Sequence, residues 1–199
     1  VQRNLEPDFA NPCNSPMMRK LFRSKVKMQW DIIEKDTVDE IIFRTTKIRD
    51  RLLLELMARG AMRIGEVLKL TPGDIIDRKL RLRQPKSGRE AEMVFLPQKV
   101  AERLKEYVRA KEIGMNDLIF PICYEAARTM VKKAGKLVDI DLRPHDLRRH
   151  AATFASRSGV PLEIISKIIL RHSNLSTTQL YLGKINDTEA LKWIESLYG

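Results

Sequence analysis

Cysteine is nearly absent from this chain of 199 residues: Cys13 and Cys123 are its only two, and neither belongs to a Cys-x-x-Cys pair. That scarcity excludes a disulfide framework and fits a reducing compartment. Histidine is as scarce. His145, His150 and His172 offer no i, i+4 helical pair of the kind that holds a hydrolytic zinc, so no metal site is expected. Long apolar runs are missing: no segment approaches the roughly 20 residues that span a bilayer, and no charged-then-apolar leader is visible. A cytoplasmic protein without a membrane partner is expected. No internal repeat or low-complexity tract is found.

What the chain does have is positive charge. Lysine and arginine number 37 against 26 acidic residues, a formal net charge of +11. Such an excess points to a polyanion, and double-stranded DNA is the first candidate, because cations that meet phosphates release condensed counterions. The plain alternative is a soluble protein with a solvated basic surface.

Residues 1–36 carry Pro7, Pro12 and Pro16 and a basic patch without sustained period, which reads as a linker. With Val1 in first place, a preceding domain is expected to be cut away. From Asp36 the texture changes. Thr37 to Glu40 matches a capping box, and Val38, Ile41 and Ile42 supply a helical apolar face. A second helix is predicted over 48–58, ended by Gly60, and a short one over 63–70, closed by Thr71-Pro72-Gly73. Leu80 and Leu82 alternate with Arg81 and Arg83, and after a polar turn Met93 to Leu96 reads as a returning strand, a β-hairpin or meander. Pro97 opens a helix to about 110 with Val100, Leu104, Tyr107 and Val108 inward. A basic amphipathic helix over 122–138 carries Arg128, Lys132, Lys133 and Lys136. Further helices are predicted over 145–157, 161–169, 176–182 and 187–197. The fold class is therefore mostly α with a small antiparallel β-sheet, the domain running over 37–199 with a C-terminal helix at 187–197.

Four separated segments supply positive charge and proton donors, and one supplies a tyrosine. Arg63 stands in Ala-Met-Arg-Ile-Gly-Glu with Glu66 one turn on; Lys86 stands in the hairpin turn; His145 and Arg148 stand in HDLRRHAATFAS. His172 opens the last stretch of LRHSNLSTTQLYLG, and Tyr181 follows nine positions later. The order Arg, Lys, His-x-x-Arg, His, Tyr closely resembles the catalytic signature of the tyrosine recombinases, over about residues 36–199.

The resemblance implies the catalytic-domain fold of that family and DNA cleavage and rejoining through a 3′-phosphotyrosyl bond to Tyr181. In-line attack builds negative charge on phosphorus, which planar guanidinium forks at Arg63 and Arg148 suit better than lysines would. By resemblance His145 accepts the phenol proton, Lys86 protonates the leaving 5′ oxygen and His172 donates to a phosphate oxygen. Glu66 is expected to pair with a catalytic cation or orient a histidine. Neither metal nor nucleotide cofactor is expected, since side chains bring the charge and the phosphotyrosyl ester stores the broken bond.

Arg128, Lys132 and Lys133 are expected to meet DNA. Arg149 and His150 are read as packing or phosphate contacts. One departure stands out. Where the family usually has Leu-Gly-His this chain has Arg171, so either Arg171 takes a less favourable backbone conformation or the turn is built differently, and a phosphate contact is expected of it. Self-association into a tetramer on DNA is implied, the terminal helix docking on a neighbour or folding back. Two alternatives carry weight: a DNA-binding module without chemistry, with residues 161–181 as a helix-turn-helix, and a type IB topoisomerase-like enzyme.

Overall fold

Helix α1 (Lys35–Arg44) turns Val38, Ile41 and Ile42 inward, following the spacing of its apolar residues. The structure is a computed structural model that describes residues 32–83, 91–172, 174–179, 191 and 194–196. The expected Thr37-to-Glu40 capping box does not form. The helix begins three residues earlier, where the Glu34 carbonyl accepts the Val38 N–H and Lys35 pairs with Asp39 at 2.8 Å, leaving Thr37 inside the helix.

Helix α2 (Ile48–Arg59) is the central element, with Leu52, Leu53, Leu54, Leu56 and Met57 all buried. A helix apolar on nearly every side must be surrounded, and α1 and the helices over Gln98–Ala110 and Pro144–Arg157 pack around it. The more deeply buried of its two buried acids, Glu55, receives two hydrogen bonds from Arg103 of α4 (Gln98–Ala110), at 2.6 and 3.1 Å. Gly60 ends α2 in a right-handed conformation, so φ does not require glycine. Space does: a Cβ there would lie 2.7 Å from the Leu56 carbonyl oxygen and 2.9 Å from Leu96 Cδ2.

After the short α3 (Ile64–Val67) the chain forms a three-stranded antiparallel meander, β1 (Ile75–Ile76), β2 (Lys79–Arg83) and β3 (Ala91–Phe95), in that order. Leu80 faces Val94 across the strands and Leu82 faces Glu92, all four buried, while Lys79, Arg81 and Arg83 point outward. Glu92 is thus an acid at a core-facing position. Asp74, in the 3-10 turn before β1, accepts from the Thr71 N–H and hydroxyl and from Arg83 Nε at 2.6 Å, which pins the end of β2. Pro97 caps α4 from outside, one place before its predicted position, and Tyr107 stacks on buried Phe120.

Helix α5 (Tyr124–Lys136) buries Ala127, Val131 and Ala134 and packs Gly135 so closely on Leu142 that a Cβ would lie 2.4 Å from that side chain. Helix α6 (Pro144–Arg157) starts with Pro144 in its first turn, as a missing N–H allows. The single helix expected over 161–169 is divided into α7 (Leu162–Ile164) and a π-helical turn over Ile165–Ile169. Helix α8 (Leu175–Gln179) covers the first half of the predicted 176–182. Of the predicted 187–197 only Leu191 and Ile194–Ser196 are described, and these are helical. The mostly α architecture with a small antiparallel sheet is the expected one. No helix among the described residues is long and apolar enough to cross a membrane.

Candidate active site

Arg63 is the residue from which α3 starts. Glu66 lies one turn on, and its carboxylate reaches back to both ends of Arg63: Oε2 accepts the backbone N–H at 2.8 Å and Oε1 accepts Nη1 at 2.6 Å. This is the acidic half of a capping box, and it fixes the guanidinium to the helix start. The Arg63 side chain stays 29% exposed, on a cleft of about 810 Å³ that it shares with His145, Tyr124, Arg81 and Lys69.

Arg148, by contrast, is fully buried. Its Nη1 donates to the Ala61 carbonyl and its Nη2 to the Leu170 carbonyl. Ala61 stands two residues before Arg63, and Leu170 two before His172. One guanidinium fork therefore ties together the two distant segments that carry the other site residues, which is the geometry a planar double donor allows and an ammonium does not.

The His172 turn is held from three sides. Its N–H donates to the Ser166 carbonyl at 2.9 Å, which the π-helical turn directs towards it. Nδ1 lies 3.0 Å from Thr178 Oγ1, and that hydroxyl donates to Ser166 Oγ at 2.9 Å. With the Thr178 proton spent on Ser166, Nδ1–H is the donor and Nε2 is the acceptor nitrogen of the neutral ring. A donor at Nε2 requires the hydroxyl relay to run the other way or the ring to be doubly protonated. Burial, then the charges of Arg148, Arg63 and Arg171, push the His172 pKa down to about 4. The His145 imidazole, exposed in the first turn of α6, is also lowered, by partial desolvation and then by Arg148, Arg149 and Arg63, with Asp146 opposing. Two imidazoles that answer to the same two arginines place Arg63, His145, Arg148 and His172 in one electrostatic neighbourhood.

Arg171 departs from expectation. It adopts φ 54°, the left-handed region that glycine enters freely, so the first of the two alternatives holds. The expected phosphate contact is not what the side chain makes: it is 3% exposed and turned inward, with Nη2 2.8 Å from Glu66 Oε2 and Nε 3.4 Å from Glu92 Oε2. Two carboxylates and burial outcompete solvent for it. The same inward turn removes the cation that a helix-turn-helix over 161–181 would present to DNA. Burial works against ionisation of Glu66, but Arg171 and Arg63 outweigh it and hold that carboxyl below the usual range.

Arg128, Lys132 and Lys133 are exposed on α5 and do not line the cleft, which that helix reaches only through Tyr124 in its first turn. Arg149 is half-buried and pairs with Asp146 at 3.0 Å. His150 packs: its Nδ1 lies 2.8 Å from the Ile33 carbonyl and its ring stacks on Phe154. Lys86 and Tyr181 lie outside the described residues. Among the described residues no three His, Cys, Asp or Glu side chains converge as a metal site.

Residues 31–187 match the family model described as the phage integrase family. The chain belongs to this family. Among integrase-family relatives, a tyrosine recombinase XerA from Saccharolobus solfataricus is 27% identical over 191 residues, covering 95% of this chain and 63% of that protein. A crystal structure of XerA recombinase superposes with a TM-score of 0.73 at 21% identity, covering 86% of this chain and 64% of that one. The Tn1549 transposon integrase, solved in complex with transposon right end DNA, has a TM-score of 0.60 at 15% identity, covering 83% of this chain and 64% of that one. The chain spans a little under two-thirds of each of these integrase-family proteins.

Sequence reading missed Ser166 and Thr178 as supports of His172. Thr178 stands in the same motif as Tyr181, and a fully buried hydroxyl must find a partner, but which imidazole it meets depends on a turn that no spacing rule encodes.

Proposed function

We propose that residues 37–199 form the catalytic domain of a site-specific DNA recombinase, which cleaves and rejoins DNA by transesterification through Tyr181, and that residues 1–36 are a linker that follows a DNA-gripping domain. The observation that carries this reading is the Arg148 fork: it draws the Arg63 and His172 segments to one place, where a phosphodiester would meet them. Membership of the integrase family and a net charge of +11 support it.

The chemistry is a balanced exchange of esters. The Tyr181 oxygen attacks phosphorus, the bond to the 5′ oxygen breaks, and the 3′ phosphate is left on tyrosine; a 5′ hydroxyl reverses the step. Arg63 stabilises the charge that grows on the nonbridging oxygens, a type of interaction worth roughly 100- to 1000-fold in rate per positioned donor, while buried Arg148 spends its fork on the Ala61 and Leu170 carbonyls and holds in place the segments that carry Arg63 and His172. A phenol of pKa about 10 needs a base at neutral pH, and His145, held neutral by partial burial and then by its cationic neighbours, suits that task. Lys86 protonates the leaving oxygen. His172 donates to the phosphate once its relay from Ser166 runs towards the ring. An approaching phosphodiester anion opposes the shift that keeps the ring neutral, so bound DNA favours its donor form.

DNA as partner implies work in the cytoplasm. Tetramer assembly on DNA is the arrangement that pairs strand exchanges, and an apolar groove of about 580 Å³ between α1, α2 and α6, with Phe154 and Ile168 on it, offers a surface for a second copy.

The test is covalent capture. The chain is incubated with a library of nicked duplexes of randomised sequence, and protein–DNA adducts are recovered under denaturing conditions. An adduct that vanishes with Tyr181→Phe supports the reading. Shifted duplex without any adduct would leave a DNA-binding module, and steady relaxation of supercoiled plasmid without sequence preference would leave a topoisomerase-like enzyme.

A further inference from the structure

Arg171 stands at a position where the backbone is left-handed, a conformation that glycine enters freely and that costs an arginine energy. A side chain retained under those conditions must make contacts that offset it. Arg171 makes three: to Glu66 at 2.8 Å, to Glu92 at 3.4 Å, and from Nη1 to the Ile169 carbonyl at 3.0 Å. Glu92 is the matching oddity. It occupies an inward-facing position of β3, opposite Leu82, where the alternation of the strand calls for an apolar residue. A buried carboxylate with no cation near it would be costly, and Arg171 supplies that cation.

We propose that Arg171 is a positioning residue for strand cleavage: through Glu66 it sets the place and charge of Arg63, and through Glu92 it joins the His172 turn to the strand that leads back from the Lys86 segment. The inference rests on the recombinase reading above. Two physical effects run through Glu66. Its Oε2 is shared between the Arg63 N–H and Arg171 Nη2, so the carboxylate is held from both sides while Oε1 receives the Arg63 guanidinium. The charge of Arg171 also offsets that of Glu66, so Glu66 neutralises Arg63 less and the Arg63 fork presents more positive potential to a phosphate. Glu92 ties the same guanidinium to β3, the strand that follows the segment of Lys86 in the sequence. Arg171 thus stands next to one site segment and grips elements adjoining two others without touching DNA.

The experiment measures single-turnover adduct formation on a duplex recovered in the capture test. The chains compared are the unchanged one, Arg171→Ala, Arg171→Gly, Arg171→Lys, Arg63→Ala and the Arg63→Ala/Arg171→Ala double variant. Arg171→Ala is expected to slow the reaction roughly 10- to 100-fold, less than loss of a direct donor. Duplex affinity stays within about twofold, and the slope of log Kd against log salt is unchanged. Arg171→Gly relieves the backbone but is as slow as Ala, and Arg171→Lys recovers part of the rate. The double variant loses clearly less than the product of the two single losses, because the Glu66 route passes through Arg63. A general loss of structure would multiply with Arg63→Ala instead.

Several results overturn the proposal: multiplying rate losses, a Gly variant as fast as the unchanged chain, or a salt slope reduced by about one with weakened binding, which would make Arg171 a phosphate contact. Should Arg171→Ala melt below the assay temperature, Arg171→Lys, alone and with Arg63→Ala, carries the same comparison. If the unchanged chain forms no Tyr181-dependent adduct, the recombinase reading falls and this inference with it. If it does and Arg171→Ala matches it, only this inference falls.

Discussion

Helix α5 and the core of the site are both rich in cations, and the protein holds them in opposite ways. On α5, Arg128, Lys132 and Lys133 stand in water, with Lys132 4.0 Å from Asp141 as a loose neighbour. Around the site, Arg148 and Arg171 are buried, each with a fixed set of acceptors. A solvated charge costs almost nothing to keep and contributes little to stability, so its effect on DNA is long-ranged and screened by salt. A buried guanidinium loses its hydration and must recover that loss from carbonyls and carboxylates in good geometry, so its position is exact and its removal expensive. The first arrangement suits attraction to a polyanion; the second suits holding a few groups about one phosphate.

That contrast can be broken most sharply at Arg148. Arg148→Ala leaves two buried carbonyls without donors and opens a cavity, for an expected loss of about 3–5 kcal/mol. Thermal melting should fall by roughly 10 °C, and any folded fraction should cleave at least roughly 100-fold more slowly. Arg148→Lys carries its donors on one nitrogen instead of the two that reach the separate carbonyls, and should recover little. A melting temperature unchanged in Arg148→Ala would show that the fork does not hold the site.

The next effect concerns pH. His172 has a folded pKa of about 4, below the ordinary histidine value near 6.5, so between those limits the unfolded chain binds the extra proton and stability rises with pH. DNA-free protein should therefore lose up to about 3 kcal/mol as pH falls from 6.5 to 4. His145 and His150, both lowered, act in the same direction. The lowered Glu66 acts in a separate window, losing its contribution only as pH falls below the ordinary carboxylate range. Melting temperature followed against pH should show a slope that His172→Gln reduces; an equal slope in that variant would mean the ring is not held neutral.

Thr178→Val should come third. It keeps the shape of the buried side chain and removes the hydroxyl between Ser166 and His172, costing about 1–3 kcal/mol and roughly 10-fold in adduct formation. A rate unaffected at full occupancy would assign Thr178 to packing alone. The smallest effect on stability belongs to α5. Arg128→Ala and Lys132→Ala should each leave melting within about 2 °C while weakening duplex binding and reducing its salt slope by about one. If either variant melts as early as Arg148→Ala, the division between the two kinds of cation fails.

Most elements were legible because their apolar residues recur at helical or strand spacing: Leu52, Leu53, Leu56 and Met57 announced α2, and Leu80 and Leu82 announced β2. The misses have local causes. Thr37 resembled a cap but fell inside a helix lengthened by the Lys35–Asp39 pair. The division of 161–169 arose from a π-helical turn, which apolar spacing does not distinguish from a continuous helix. Arg63, His145, Arg148 and His172 were recognised as a set by motif order, but order says nothing about which cation is buried.

From residues alone came the mostly helical fold, the excess of positive charge, the family and a set of candidate reactive side chains, because patterning and motifs are properties of a linear string. Tertiary structure alone decided that Arg148 faces two carbonyls, that Arg171 turns away from solvent, and that Glu92 sits inside the sheet to meet it. The energy of a charge depends on which dipoles and counter-charges surround it, and those neighbours lie dozens of residues away along the chain.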